Sequence, residues 1–376
     1  MDQFLQGLLI DLLSRCDVLR LLVSKESYHE DVREYIGEII ERLEKITIEA
    51  QQILKDPAFG ALQLLQNHLQ DYNRLVERLH FIESFPVPFV TRYNKTDQKI
   101  TRFCKLLVKE INYPLPPPLI ACFSNQYYWT KPDFNLICSS TLESDFLLGL
   151  PDLCHELGHI LLYKYEDRLL TKFLEELKDY IRAEIQRVKR EQKPNRYIEG
   201  YMHLFEQWKD RWVKEFISDM IATYITGPAF GWQHLRLCAG MTRNIYYPGF
   251  YEGAIHPSDE SRMRGIFAMM RLLKIGNNKM EEKWNHYKSI AGNIEPQEYR
   301  LCYPDQLIES LAKYTYKACQ EIQLKSYIQQ SSTSVQKSSI VLILNNAWEY
   351  FLNVPEHYRD KEVILLNEIQ MLLGDN

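Results

Sequence analysis

The segment His155-Glu-Leu-Gly-His159 places two histidines and a carboxylate at a spacing that suits a metal ion. On an α-helix, residues four apart lie about 40° apart around the axis and about 6 Å apart along it. The two imidazoles therefore face the same side on successive turns and can share one ion. Glu156 can lean over the ion's open position and accept a proton from bound water. This pattern is typical of a zinc-dependent hydrolase.

A zinc site with two histidines needs a third protein ligand, which we expect on a second helix. Glu215 and Asp219 lie four apart in segment 212–227, whose other residues are mostly apolar. Two carboxylates on a buried helix face are unfavourable unless they are paired or bound to metal. We therefore predict that Glu215 is the third ligand and that Asp219 accepts a hydrogen bond from a ligand histidine. The alternative is an acidic pair on a solvated strip of the helix.

A third motif, His256-Pro-Ser-Asp-Glu-Ser-Arg262, follows further along the chain. The succession of His-Glu-x-x-His, Glu-x-x-x-Asp and His-Pro-x-x-x-x-Arg resembles the gluzincin zinc metallopeptidases. Its last element is most similar to the branch that includes the CAAX prenyl-peptidases and the HtpX-type peptidases. The resemblance covers roughly residues 115–270. The first two motifs are strong together, and the third is weaker.

The resemblance implies a role for each matching residue. His155, His159 and Glu215 would be the zinc ligands. Glu156 would be the general base and later the proton donor. Asp219 would orient a ligand histidine, with His155 as the expected partner.

For the third motif the resemblance implies two possible roles. His256 and Arg262 would lie near the substrate carbonyl or would brace the acidic helix. His256 also has a simpler interpretation, as a histidine that precedes a proline at the start of a helix. The chain departs from this branch because its members span membranes and because a long charged insert separates His159 from Glu215. Membrane and prenylated substrates are therefore not implied.

Composition indicates a globular protein of ordinary character. Hydrophobic residues make up 45% of the 376 residues and charged residues 25%. The net charge is −5, and acidic and basic residues are mixed along the chain. This charge balance therefore gives no indication of a surface that binds nucleic acid or an anionic membrane. No apolar run approaches the roughly 20 residues of a membrane span, and the N-terminal segment lacks the basic start of a signal peptide. We expect a cytoplasmic protein without a membrane span.

The cysteines support the same compartment. They are scattered singly in apolar surroundings without a Cys-x-x-Cys pair, so we interpret them as reduced core thiols. Cys154 precedes His155, but on a helix it points about 100° away, which favours packing over metal binding. The eight positions are Cys16, Cys104, Cys122, Cys138, Cys154, Cys238, Cys302 and Cys319.

The predicted fold is mainly α with a small β-sheet (α+β). Residues 1–85 show three amphipathic stripes that predict a helical bundle, where a protein partner could dock. Residues 86–275 should form a zincin-like core with a helical insert at about 163–211, and residues 276–376 a helical C-terminal region. The motif Phe85-Pro-Val-Pro-Phe-Val should mark the first boundary. Strands are predicted at 119–125 and 134–140, and we expect residues 135–140 to form the sheet edge at the cleft.

Three functions fit these predictions. The first is a selective or regulated zinc metalloendopeptidase that uses Zn²⁺ and acts on a protein or peptide substrate. The second is a helical interaction or scaffold protein with a structural or inactive zinc site. The third is a zinc hydrolase acting on a non-peptide amide. An intact Glu156 argues against the second function but not against the third.

Overall fold

The computed structural model describes residues 2–25, 28–59, 64–124, 127–141, 145–241, 244–276, 278–333 and 339–374. The chain forms two compact units, Met1–Gln98 and Lys99–Asn376. Helices dominate both the described chain and its core, and one small three-stranded sheet accompanies them. This architecture confirms the predicted mainly α fold with a small sheet. The predicted domain boundaries at 85/86 and 275/276 stay predictions.

The first unit consists of amphipathic helices whose apolar stripes are buried. In the second of them, Ile39, Leu43 and Ile46 repeat at helical spacing and are shielded from solvent. The prolines of the expected boundary motif instead lie within a short helix, because Pro86 occupies its first turn, where no backbone N–H is needed. The helices are α1 Asp2–Val23, α2 Arg33–Lys55, α3 Leu65–Ser84 and α4 Pro86–Arg92, and α5 Lys95–Glu110 crosses into the second unit.

The second unit surrounds the two motif helices with further helices. The predicted insert forms two of these, separated at Pro194, and the first buries an apolar stripe and leaves its charged residues exposed. The helices are α6 Pro151–Lys164, α7 Glu166–Arg190, α8 Asn195–Gln207, α9 Val213–Thr226, α10 Pro228–Ala239, α11 Asp259–Leu272, α12 Asn278–Ala291, α13 Tyr299–Cys302, α14 Asp305–Glu321, α15 Tyr327–Thr333, α16 Ile340–Asn353 and α17 Tyr358–Leu373.

The sheet contains β1 Leu119–Cys122, β2 Trp129–Lys131 and β3 Leu136–Ser139. Its order is β1-β3-β2, with β3 parallel to β1 and antiparallel to β2. The prediction that residues 135–140 form the edge at the cleft was therefore wrong. All four residues of β3 are buried, as expected for a central strand, whereas the residues of β2 are half-buried.

Helices α6 and α9 form the centre of this unit and carry the first two motifs. Their backbones approach closely at Gly158, where an added Cβ would lie 2.9 Å from Ser218 Cα. Cys154 is buried in the surrounding apolar core, and the other seven cysteines are buried as well. Within the described ranges, no helix is both long and apolar enough to cross a membrane.

Candidate metal centre

The two histidines of α6 converge on one point. The helix begins at Pro151, and its regular turns bring the Nε2 atoms of His155 and His159 to 3.0 Å from each other. His155 is 8% exposed and His159 is half-buried, so both rings are largely removed from solvent. The geometry is that predicted from the four-residue spacing.

Glu215 reaches the same point from α9. Its Oε2 lies 3.6 Å from His155 Nε2, and its Oε1 lies 3.4 Å from His159 Nε2. Tetrahedral zinc, bound to nitrogen and oxygen at about 2.0–2.2 Å, needs ligand atoms roughly 3.3–3.5 Å apart. The three separations of 3.0, 3.4 and 3.6 Å bracket this range, so shifts of a few tenths of an ångström would bring the donor atoms around one ion. A five-residue π-helical turn, Trp208–Trp212, directly precedes α9, and such turns are frequent at functional sites.

A buried oxygen of Glu215 is left without a hydrogen bond, which favours a cation at this place. Among the described residues, no hydrogen bond of acceptable geometry reaches Oε2, although His256 Nδ1 lies 3.0 Å away. A buried carboxylate oxygen without a hydrogen bond is unfavourable, and a metal ion would satisfy it. Two imidazoles and one carboxylate form a donor set that suits zinc. The residues present thus fit the metal predicted from the sequence.

Asp219 fixes the orientation of His155. It is fully buried, and its Oδ1 accepts a hydrogen bond of 2.8 Å from His155 Nδ1. This contact holds the proton on Nδ1 and leaves Nε2 free for a metal. The structure therefore places Asp219 against the histidine for which the resemblance implied an orienting role.

Arg262 pairs with both carboxylate oxygens of Asp219, including the Oδ1 that accepts from His155. Its Nε donates to Asp219 Oδ2 at 2.7 Å, and its Nη2 donates to Oδ1 at 2.6 Å. Burial opposes ionisation of Asp219, but the Arg262 guanidinium outweighs it and holds the carboxyl pKa well below its usual range. Of the two roles implied for Arg262, this geometry matches the bracing of the acidic helix.

His256 lies at the rim of the site, before the Ser258 that caps α11. Its side chain is 51% exposed, and its Nδ1 faces Glu215 Oε2. The Trp212 indole Nε1 donates to the carbonyl of Ala254 at 3.0 Å and so ties the preceding loop to the start of α9. His256 thus contacts a candidate ligand and remains accessible from the cleft.

Glu156 faces the cleft beside the three candidate ligands. It is 5% exposed, and no described residue forms a hydrogen bond or ion pair with its carboxylate. Burial, reinforced by nearby carboxylates, raises its pKa to about 8 in the metal-free protein. A carboxylate whose proton affinity lies near neutrality is suited to accept and return a proton.

The electrostatics of the two histidines also favour a cation. Burial disfavours their protonated forms, but the carboxylates of Asp219 and Glu215 raise the pKa of His155 to about 10. For His159 burial prevails, and its pKa falls to about 4. Without a metal, His155 therefore keeps an additional proton and its positive charge. A bound cation would supply that positive charge instead.

A cavity of about 430 Å³ opens onto these residues. It lies between β2 and α6, and its volume is in the range of ligand-binding clefts. The sequence analysis missed several of its residues, above all Asp152. The available signal was an acid in an apolar segment, one helical turn before His155. The cavity is lined by Tyr127, Tyr128, Trp129, Thr130, Pro132, Asp152, His155, Glu156, His159, Leu162, Tyr163, Glu166, Lys214, Glu215, Leu237, His256 and Arg262.

Comparison with protein families, with curated proteins and with solved structures gives no significant match for this chain. The gluzincin resemblance therefore stays a prediction from three motifs. The functional argument depends on the geometry of the site.

Replacing Gly158 with alanine should disturb the site without touching a candidate ligand. The added methyl group would press on Ser218 and push α9 from α6. We expect a loss of about 1–3 kcal/mol in the free energy of unfolding and weaker zinc binding. Chemical denaturation and zinc titration measure the two effects. Gly37→Ala is the control, because its Cβ would meet open space and should be neutral or slightly stabilising. Equal stability of the two variants would contradict the packing argument.

Proposed function

We propose that this protein is a zinc-dependent metallopeptidase that hydrolyses peptide bonds. One observation carries the proposal: the donor atoms of His155, His159 and Glu215 converge from two helices, while Glu156 faces the same cleft without being part of the set. A structural zinc site usually has four protein ligands, whereas a catalytic site has three and leaves one position open. Among the described residues, the group contains three.

Zinc, when held by His155, His159 and Glu215, supplies a Lewis acid that polarises a carbonyl and brings the pKa of water toward neutrality. The Glu156 carboxylate accepts the proton of the attacking water and then delivers it to the leaving amine. Asp219 keeps the His155 proton on Nδ1, and Arg262 holds Asp219 in place. His256, exposed at the rim, would donate a hydrogen bond to the substrate oxygen.

The cleft suits an extended chain as substrate. Strand β2 is an outer strand of the sheet, and its Trp129 and Thr130 line the cavity. A peptide can add to such an edge through backbone hydrogen bonds. This supports a protein or peptide as substrate rather than a small amide. The direct test is zinc analysis of the purified protein together with cleavage of a peptide library. A protein that binds one zinc per chain and cleaves no member would count against the proposal.

Removing zinc should lower the melting temperature, because the ion joins α6 to α9. Binding at a thousandfold excess over the dissociation constant adds about 4 kcal/mol. For a unit of this size that corresponds to a shift on the order of 10 °C. Thermal unfolding with and without EDTA, followed by addition of zinc, measures it. Glu215→Ala should melt at the same temperature under all three conditions. An EDTA-insensitive wild type would contradict a zinc ion shared by the two helices.

A further inference from the structure

Asp152 is a buried carboxylate in the cleft that the proposed mechanism does not use. It lies on α6, one turn before His155, and is 6% exposed. Its side chain lines the cavity together with the candidate ligands, but it is not one of the group that could hold the metal. A carboxylate in this position is unfavourable unless something compensates its charge.

Neutral donors hold Asp152 in place. Gln233 Nε2 donates to Asp152 Oδ2 at 2.8 Å and lies 2.7 Å from the hydroxyl oxygen of Tyr127. The carbonyl of the same Gln233 side chain accepts a hydrogen bond of 3.2 Å from Arg236 Nη1. The Gln233 amide thus fixes the Asp152 side chain, and Arg236 in turn fixes the Gln233 amide.

Asp152 forms no direct ion pair with a described residue, although the charges of His155 and Arg262 act on it from further away. Within the described ranges, no lysine or arginine nitrogen lies within 4.0 Å of its carboxylate. Arg262 is engaged by Asp219, and Lys214 is exposed at the cavity. Burial raises the pKa of Asp152 to about 6, which still leaves a carboxylate at neutral pH. The cavity therefore offers a preformed negative site close to the candidate metal.

Aromatic side chains form another part of the same cavity. Tyr128, Trp129 and Tyr163 line it along with Asp152. Aromatic faces attract ammonium and guanidinium groups, and they pack against the apolar stems of lysine and arginine. A carboxylate combined with aromatic surfaces is the chemistry that recognises a long cationic side chain.

We propose that Asp152 is a specificity-determining residue that selects a substrate with lysine or arginine beside the cleaved bond. The proposal rests on the peptidase function and deepens it by naming the substrate class. Asp152 also has a purely structural interpretation, since an acid in the first turn of a helix is favourable. That role would affect stability but would not make binding depend on the charge of the ligand.

The test uses four peptides, acetyl-Ala-Ala-Xaa-Ala-Ala-amide, with lysine, norleucine, arginine or citrulline at Xaa. Norleucine and citrulline keep the shape of lysine and arginine and remove the charge. Calorimetry measures binding to the zinc-loaded full chain carrying Glu156→Gln, which should slow turnover at least about 100-fold. We expect each cationic peptide to bind at least about tenfold more tightly than its neutral counterpart.

Adding Asp152→Asn should reduce both ratios to within about twofold, with zinc content and melting temperature recorded alongside. Asp152→Ser is the second variant, should the asparagine not fold. Glu175→Gln, the same charge change at an exposed residue of α7 outside the cavity, should keep the preference. Equal binding of cationic and neutral peptides, or a preference that survives both Asp152 variants, would overturn the proposal.

The same experiment separates the two proposals. If the Glu156→Gln chain prefers cationic peptides but the wild type cleaves none of them, the peptidase function fails and the cation site stands. If the wild type cleaves all four peptides at the same kcat/KM, the peptidase function stands and the role of Asp152 fails.

Discussion

Replacing Glu156 with glutamine should leave zinc bound and lower kcat/KM by a factor between about 10² and 10⁴. Glutamine has nearly the same shape as glutamate but cannot accept the proton of the attacking water. Because Glu156 lies outside the candidate ligand set, its replacement should not lower the affinity for the metal. Because the carboxylate makes no contact with a described hydrogen-bonding group, the melting temperature of the metal-free variant should not fall.

The measurement is zinc content by elemental analysis together with peptide cleavage under single-turnover conditions. His159→Ala is the companion variant, and we expect it to lose zinc and activity together, since one of three ligands is removed. The pair of variants separates loss of the base from loss of the metal. Turnover by Glu156→Gln at the wild-type rate would remove Glu156 from the mechanism and leave only the metal site.

The candidate ligands could be predicted because they depend on local geometry. The helical repeat determines that His155 and His159 share a face, and it does the same for Glu215 and Asp219. The contact between these two faces belongs to the tertiary structure. It was nevertheless indicated by the sequence, because unpaired acids in an apolar helix are unfavourable when buried. The sequence therefore held enough information to predict that His155, His159 and Glu215 converge and that Asp219 contacts His155.

The order of the strands could not be predicted in the same way. Apolar runs at 119–125 and 134–140 indicated strands, but which strand is central depends on pairing between distant segments. The short β2 pairs with one side of β3, and β1 pairs with the other. Only β2 is left at the edge that lines the cleft. The position of the edge beside the cavity was therefore missed, although β1 and β3 lie within the two predicted strand segments.

The contacts of Asp152 and Arg262 could not be predicted from the sequence for a related reason. Asp152 is held by Gln233, 81 residues away, and no local pattern connects the two. For Arg262 the gluzincin resemblance implied either a substrate contact or a structural brace. The choice follows from its two hydrogen bonds to Asp219, which lies 43 residues earlier on another helix.

Replacing Arg262 with methionine should lower the free energy of unfolding by about 3–5 kcal/mol, because it leaves the buried Asp219 without its counter-ion. Without Arg262 the Asp219 carboxylate would be less firmly positioned against His155, so zinc affinity should fall roughly 10- to 100-fold. Arg262→Lys keeps the charge but loses the bidentate contact, so its stability and zinc affinity should be intermediate. Chemical denaturation and competitive zinc titration measure the two effects.

The control for Arg262 lies on the same helix. Arg271 forms an exposed ion pair of 3.6 Å with Glu309, and its replacement by methionine should change stability by no more than about 0.5–1 kcal/mol. Combining Asp219→Asn with Arg262→Met removes both buried charges and should recover part of the stability, but not the zinc affinity. A residue acting only on the substrate would behave differently. Arg262→Met would then lower kcat/KM with stability and zinc affinity unchanged, and that result would refute the bracing role.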